Sequence, residues 1–168
     1  PDLVVISAPA AAVPEIVAEA GLAGVAGAAI LSAGLGYGAG SLAEIAGQTA
    51  RRHGMRLFGP NCLGVMVPRA KLNASFASHQ PSDGHVALIS QSGAVASAMI
   101  EWAAERRLGF SGIASIGDQL DVDVADLLDY FALDDHTSAI LIYLEAVKDA
   151  RKFMSAARAA ARLKPVID

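Results

Sequence analysis

The sequence has one cysteine, few aromatic residues and no long apolar run. Cys62 has no partner for a disulfide within the chain, a pattern typical of proteins in a reducing cytoplasm. No stretch of about 18 apolar residues is uninterrupted, so the sequence predicts no membrane-spanning helix. The net charge of −4 and the lack of a basic cluster argue against nucleic acid as a partner. We therefore expect a cytoplasmic protein that acts on neither membranes nor nucleic acids.

Small residues supply most of the apolar content. Hydrophobic residues make up 54% of the 168 residues but aromatic residues only 5%, because alanine and glycine are abundant. Small side chains let helices lie close to a sheet, so this composition favours a layered α/β protein. The chain starts at Pro1, directly before an apolar run, and stops at Asp168, just after the start of a further strand. We expect it to be a fragment of a larger polypeptide.

Short β-branched runs alternate with alanine-rich helical patterns in the first part of the chain, which predicts βαβ units and a parallel sheet. A glycine-rich loop at 32–40 precedes a capping box formed by Ser41 and Glu44, which opens a helix that ends before Gly54. The other elements predicted here are strands at 3–6, 25–31, 55–58 and 64–67 and a helix at 13–20.

Residues 68–84 contain two prolines, small polar residues and no helical periodicity, which predicts a linker at 69–84. Val95, Met99 and Trp102 follow at helical spacing and are expected in the core. The fold class is therefore α/β, with two doubly wound parallel-sheet units at 1–68 and 85–168, the second incomplete. The elements predicted after the linker are strands at 86–90, 111–116, 139–144 and from 165, and helices at 94–107, 124–131 and 149–163.

The turn Ser90-Gln91-Ser92-Gly93 follows a strand and opens a helix. Ligands gather at this edge of parallel sheets, and the unpaired N–H groups of a helix start attract anions. A phosphate site is one interpretation, and a tight turn with small residues for packing is the other. Ser92 also occupies the nucleophile position of a G-x-S-x-G elbow, but Ser90 and Ala94 replace both glycines, which weakens that hypothesis.

Three further features have chemical and purely structural interpretations. Cys62 lies in the turn at 59–64 with no histidine nearby in sequence, so a small buried hydrophobe is favoured over a nucleophile. Glu145 ends an apolar strand, where a carboxylate reaches either a ligand or only solvent. The acidic stretch 118–129 fits an Asp-rich helix start better than a metal site. The four histidines lie at helix ends and in loops, and we assign none of them a catalytic role and no metal to the chain.

Three motifs resemble, in order and spacing, those of the NDP-forming acyl-CoA synthetases: GPNCLGV at 59–65, LNASF at 72–76 and ISQSGA at 89–94. The likeness continues through YLE at 143–145 and KPV at 164–166 and covers essentially the whole chain. This family includes ADP-forming acetyl-CoA synthetase and the succinyl-CoA synthetase alpha subunit. Some protein lysine acetyltransferases carry an inactive region of the same kind.

The resemblance implies a ligase that converts acyl-CoA, NDP and phosphate to acid, CoA and NTP through a phosphohistidine. Residues 1–68 then resemble the second half of a Rossmann CoA-binding domain, and residues 85–168 most of a flavodoxin-like ligase domain. The implied cofactors are CoA or acyl-CoA, phosphate, and ADP or ATP bound through other domains. The implied partners are small-molecule substrates, the remaining domains or a beta subunit with an ATP-grasp fold, within an oligomer.

The resemblance also implies roles for individual residues. Glu145 corresponds to the carboxylate that orients the phosphorylated histidine, which makes it the catalytic candidate. The implied phosphate-binding residues are Ser90, Gln91, Ser92, Gly93 and Ala94, and the implied CoA-binding residues are Ala8, Pro9, Ser32, Ala33, Gly34, Asn61 and Cys62.

Several family features are missing from the sequence. The nucleotide loop that opens the CoA domain would precede Pro1, and the phosphorylated histidine would follow Asp168. The loop at 32–40 lacks the usual acidic residue, and Asp118 stands where asparagine is common. We therefore expect the chain alone to be inactive. Two alternatives are a regulatory, CoA-sensing region of a protein lysine acetyltransferase and a purely structural or CoA-sensing module.

Overall fold

A computed structural model describes residues 1–168, and its strands form two sheets. The first sheet has three parallel strands in the order β1-β2-β3, with two helices on the crossovers between them. Hydrophobic side chains from the sheet and both helices form its core. The elements are β1 (Leu3–Ile6), α1 (Val13–Leu22), β2 (Gly27–Ile30), α2 (Leu42–Arg52) and β3 (Arg56–Phe58).

The second sheet has six strands in the order β5-β4-β7-β6-β8-β9. Strands β6 to β9 are mutually parallel, and β4 and β5 run antiparallel at one edge. None of the helices is long and apolar enough to cross a membrane. The elements are β4 (Gly64–Val67), β5 (Leu72–Ser75), β6 (Ser82–Ser90), α3 (Gly93–Glu105), β7 (Gly109–Ser115), α4 (Val124–Leu133), β8 (Ala139–Tyr143), α5 (Ala150–Leu163) and β9 (Val166–Ile167).

The α/β class with two parallel-sheet units is confirmed, since hydrophobic strands do alternate with helices along the chain. The acidic stretch also has the structural role that the sequence favours. The Asp123 carboxylate caps α4 by accepting a hydrogen bond from Asp126 N, and the Asp126 carboxylate accepts one from Asp123 N. This reciprocal capping box satisfies two N–H groups that the helix leaves without partners.

The sheets divide at a different point from the one predicted. The sequence pattern places the strand Gly64–Val67 in the first unit, but in the structure this strand, β4, pairs with β7 and β5 of the second sheet. The predicted linker at 69–84 contains β5 and the start of β6, preceded by a short 3₁₀ turn at Pro68–Ala70. The sequence pattern does not predict strand β5, because its four residues, LNAS, have low strand propensity. Pairing with β4 holds them in the strand conformation. As a division into domains, the bounds 1–68 and 85–168 stay a prediction.

The buried face of α3 is also one position away from the predicted stripe. Ala96, Ile100 and Ala103 face the sheet, whereas Trp102 is 46% exposed and lies beneath the guanidinium of Arg106. Alanine at the contact face lets the helix approach the strands closely. The larger residues at 95, 99 and 102 consequently flank the contact rather than fill it.

Backbone hydrogen bonds join the two units. Val122 N donates to Leu57 O at 3.0 Å, and Leu120 N donates to Gly59 O at 2.8 Å, so the segment after β7 runs alongside β3. These bonds satisfy polar groups at the otherwise open edge of the three-stranded sheet. They also fix the carboxyl end of β3 against the second unit.

Charged side chains reinforce this junction. Arg56 pairs with Asp121 at 2.9 Å and with Asp126 at 3.1 Å, and Lys152 lies 2.6 Å from the same Asp126. Partial burial acts to raise the pKa of Asp126, but hydrogen bonds from Lys152 and the backbone outweigh it and lower that pKa. The network therefore favours the charged carboxylate and links β3, α4 and α5.

Candidate functional site

A pocket of about 510 Å³ opens where the turn after β3 meets the start of α3 and the segment after β8. Parallel pairing of β6 with β8 places Ser90 opposite Tyr143, so the turn at 90–93 and Glu145 emerge at the same carboxyl edge, as the sequence predicts. The lining residues are Leu31, Asn61, Cys62, Leu63, Phe76, Gln91, Ser92, Gly93, Ala94, Ser97 and Glu145.

The two serines of the turn are used differently. Ser90 is fully buried, and its hydroxyl donates to Ser92 O at 2.8 Å, so it holds the turn together. Ser92 is the N-cap of α3, and its Oγ accepts from Val95 N at 3.3 Å. Because Oγ acts there as an acceptor, the Ser92 hydroxyl hydrogen is left to donate into the pocket.

The start of α3 differs in charge from that of the other helices. Glu15 lies in the first turn of α1, Glu44 in that of α2 and Asp126 in that of α4, and Asp149 caps α5. The first turn of α3 has no acidic residue and its N-cap is Ser92. A helix start carries partial positive charge, and α3 is the helix of these five whose N-cap and first turn hold no carboxylate to offset it.

Gln91 connects the turn to the segment that carries Glu145. Its Oε1 accepts a hydrogen bond from Glu145 N and another, at 2.9 Å, from Ala146 N. Its backbone N–H donates to Tyr143 O at 3.0 Å. Glu145 itself is exposed and lines the pocket.

The turn after β3 is a tight backbone structure. Gly59 has a φ of +87°, and a Cβ there would lie 2.4 Å from Ile30 O, so only glycine fits. The Cys62 side chain is buried, and its thiol donates to the same Ile30 O at 3.3 Å. Burial raises the pKa of Cys62 to about 11. The thiol is therefore protonated near neutral pH, which does not suit a nucleophile.

Asn61 faces the second unit. It adopts a φ of +57°, a conformation that asparagine tolerates better than most residues, and its Nδ2 donates to Asp118 at 3.3 Å. A second cavity, of about 340 Å³, lies on the other side of Asp118, between the glycine-rich loop and Lys148. The charge of Asp118 raises the pKa of Tyr37 there.

The remaining predicted CoA residues lie apart from the pocket lining. Ala8 N donates to Ser32 Oγ at 3.0 Å and Ser32 Oγ donates to Ala8 O at 2.6 Å, so the turns after β1 and β2 are tied together. Pro9, Ala33 and Gly34 are exposed beside them. The structure thus brings Asn61 and Cys62 to the same pocket as the turn at 90–93 and keeps the other five at the edge of the first sheet.

The pocket also has an apolar wall that the sequence pattern does not indicate. Leu31, Leu63 and Phe76 form this wall, and Phe76 is 66% exposed although it is a large hydrophobic residue. The LNASF motif contained this residue, but no periodicity marked its role. Folding also pairs one of the histidines: His136 lies 3.0 Å from Asp83 near the start of β6, remote from the pocket. Hydrogen bonding to His136 lowers the pKa of Asp83.

Two family profiles cover most of the chain. Residues 83–167 match the succinyl-CoA ligase like flavodoxin domain. The chain belongs to this ligase-like family. Residues 1–68 match a CoA binding domain. Together the two matches confirm the resemblance to NDP-forming acyl-CoA synthetases that the motifs indicated.

Individual relatives agree with this assignment. The chain is 43% identical over 169 residues to acetate–CoA ligase [ADP-forming] I of Archaeoglobus fulgidus, covering 99% of this chain and 25% of that protein. The corresponding subunit alpha from Pyrococcus furiosus is also 43% identical, with 99% and 37% covered. The structure superposes with a TM-score of 0.91 and 36% identity on dinucleotide forming acetyl-coenzyme A synthetase 1 of Ca. Korarchaeum cryptofilum, solved with phosphate and ADP, and covers 98% of this chain and 36% of that one.

The chain therefore spans between a quarter and two-fifths of the length of these relatives. Every one of them is named as an acyl–CoA ligase or synthetase. The comparisons give the acetyltransferase alternative no support.

Proposed function

We propose that this chain contributes the meeting point of the CoA side and the phosphoryl side of an NDP-forming acyl-CoA synthetase. The proposed reaction converts acyl-CoA, NDP and phosphate to the free acid, CoA and NTP. A histidine supplied by another part of the assembly carries the phosphoryl group. Acetyl-CoA and ADP are the substrates to test first, because the similar proteins are named for them.

One observation carries the proposal: the pocket places the turn after β3 against the positive end of α3, where neither the N-cap nor the first turn carries a carboxylate. An anion there is favoured by backbone N–H groups and by the Ser92 hydroxyl, and Glu145 lies on the same wall. In this proposal phosphate binds at Ser90 to Ala94, with Ser90 holding the turn from behind. Glu145 orients the histidine.

The CoA contacts in the proposal come from the turns after β1, β2 and β3. Asn61 and Cys62 contribute from the pocket wall, and Ala8, Pro9 and the loop at 32–34 contribute from the edge of the first sheet. The nucleotide binds through other domains or an ATP-grasp subunit, as part of an oligomeric assembly. The apolar wall formed by Leu31, Leu63 and Phe76 suits the acyl group of the substrate.

The test is phosphorylation of the full-length protein, with any partner subunit, by ATP labelled at the γ-phosphate. We expect an acid-labile phosphoryl-enzyme that disappears when CoA and acetate are added together. Discharge that requires both substrates shows that the phosphoryl group lies on the path to acyl-CoA. Tight CoA binding with no labelled enzyme would instead show a CoA-binding module without ligase activity.

A further inference from the structure

The side-chain amide of Gln91 has one end bound to the protein backbone and the other end free of it. Its Oε1 accepts hydrogen bonds from both Glu145 N and Ala146 N. Two N–H donors can be satisfied only by an oxygen, so this contact fixes which end of the amide is which. The amino group, Nε2, must be the other end, and Gln91 is one of the residues that line the pocket.

Two side chains hold the segment between β8 and α5, one from outside it and one of its own. Gln91 binds its first part, and Lys148 Nζ binds the carbonyls of Asp118 and Gln119 at its other end. Glu145 is exposed between these anchors. The position of the Glu145 backbone therefore depends on Gln91, while Lys148 anchors a different part of the same segment.

We propose that Gln91 is a positioning residue for Glu145 and that the same contact fixes Nε2 as a hydrogen-bond donor to an oxyanion in the pocket. This inference rests on the proposed phosphate site. The two functions are linked by geometry, since the oxygen cannot hold the Glu145 segment without directing the amino group away from it. The planar amide of Gln91 in this way sets the position of the Glu145 carboxylate relative to a phosphate bound at the start of α3.

Two substitutions in the full-length protein separate the two functions. In Gln91→Glu a carboxylate oxygen still accepts from both backbone N–H groups, but the donor facing the pocket is replaced by a negatively charged oxygen. In Gln91→Met the shape is similar and both functions are lost. Lys148→Met is the matched control, because it removes the other anchor and leaves the amides of Glu145 and Ala146 bound.

The first readout is hydrogen exchange at the Glu145 and Ala146 amides, which does not depend on activity. Gln91→Met should exchange roughly tenfold or more faster, because two ordinary hydrogen bonds protect these groups. Gln91→Glu and Lys148→Met should exchange there at the wild-type rate. Unchanged protection in Gln91→Met would overturn the positioning role.

The second readout is the affinity for inorganic phosphate, measured by calorimetry. Both Gln91 variants should bind it roughly tenfold to a hundredfold more weakly, since a charge-assisted hydrogen bond is lost and, in Gln91→Glu, a like charge is added. Wild-type affinity in Gln91→Glu would overturn the donor role, because a purely structural glutamine is rescued by glutamate. If the wild-type protein binds no phosphate at all, the proposed function fails, and the exchange rates alone still decide the positioning role.

Discussion

The turns that follow β2 and β6 both place a serine after a buried strand, yet they use it in opposite ways. After β2, Ser32 Oγ accepts from Ala8 N and donates to Ala8 O, so both of its functions are used within the fold. After β6, Ser92 Oγ accepts from Val95 N, and its hydrogen remains available. A serine after a strand is therefore evidence for a ligand only when its hydroxyl hydrogen makes no hydrogen bond within the fold.

The helices that follow these turns, α2 and α3, differ in whether the protein's own side chains already satisfy the helix start. At α2, Ser41 Oγ accepts from Glu44 N at 3.1 Å, and the Glu44 carboxylate accepts from Gly40 N at 2.6 Å. The capping box predicted for Ser41 and Glu44 therefore forms with one difference. The Glu44 carboxylate accepts from the N–H of Gly40 rather than from the N–H of the N-cap residue, Ser41. The chain's own anion already occupies this helix start, whereas the start of α3 has none. Charge at the first turn, rather than serine and glycine content, distinguishes the two regions.

The largest effect is expected from making α3 resemble α2. Ala94 is exposed in the first turn of α3, and Ala94→Asp introduces a carboxylate that repels a bound phosphate. In the full-length protein we expect phosphorylation by labelled ATP to fall about a hundredfold, equivalent to about 2.7 kcal/mol. Ala94→Asn is the control of the same shape without the charge. Equal losses in both variants would attribute the effect to shape and remove the electrostatic difference between the helices.

Ser92→Ala should slow phosphorylation of the full-length protein about tenfold to a hundredfold, since one charge-assisted hydrogen bond contributes roughly 1.5–3 kcal/mol. The substitution also removes the cap of α3, which costs about 1 kcal/mol of helix stability. Ser41→Ala removes the equivalent cap of α2 and so controls for that cost. We expect normal phosphorylation in Ser41→Ala. Normal phosphorylation in Ser92→Ala, together with weakened CoA binding, would assign this turn to the other substrate.

Ser32→Ala tests the other side of the comparison. It removes the acceptor of Ala8 N and should accelerate hydrogen exchange of that amide roughly fivefold to thirtyfold, the equivalent of about 1–2 kcal/mol. Phosphorylation should be unaffected, because Ser32 does not line the pocket. Ser7→Ala, at an exposed serine beside Ala8 in the turn after β1, serves as the control. A loss of phosphorylation in Ser32→Ala would show that this turn also reaches the phosphoryl group.

The smallest effect concerns Cys62. Its thiol, like the hydroxyl of Ser32, donates a hydrogen bond to a backbone carbonyl within the fold. Its pKa of about 11 lies above that of an unfolded cysteine, so the folded state holds the proton more tightly. The stability that this contributes is fully present below about pH 8.5 and is lost as the pH rises towards 11. Denaturation of the full-length protein between these pH values should show this decline, and Cys62→Ser should lack it.

Alkylation gives an independent measure of the same group. At pH 8 roughly one thiol in a thousand is ionised when the pKa is about 11, compared with roughly a quarter for an exposed cysteine. Iodoacetamide should therefore react slowly with Cys62 until the protein is unfolded. Rapid alkylation of the native protein would show that the thiol is open to the pocket.

Local signals in the sequence predicted the helices well. Helix α4 starts at Val124 and α5 ends at Leu163, both as predicted, because acidic caps and a strong apolar period mark them. Strand β5 could not be found this way, since Gly64 and Ser75 pair across β4 and β5 only once the chain has folded back. Phe76 likewise reaches the pocket only because β5 pairs with β4, so the local sequence does not indicate its place there.

The sequence by itself determined the alternation of strands and helices, the two turns rich in serine and glycine, and the likeness to a ligase family, because all three depend on residues close together in the chain. Tertiary structure decided which sheet Gly64–Val67 joins, which serine keeps a free donor, and that the Gln91 amide holds the segment of Glu145. Each of these depends on a hydrogen-bond partner or a strand neighbour brought together by folding. Polar groups are satisfied by whatever lies beside them in space, and the order of residues does not show it.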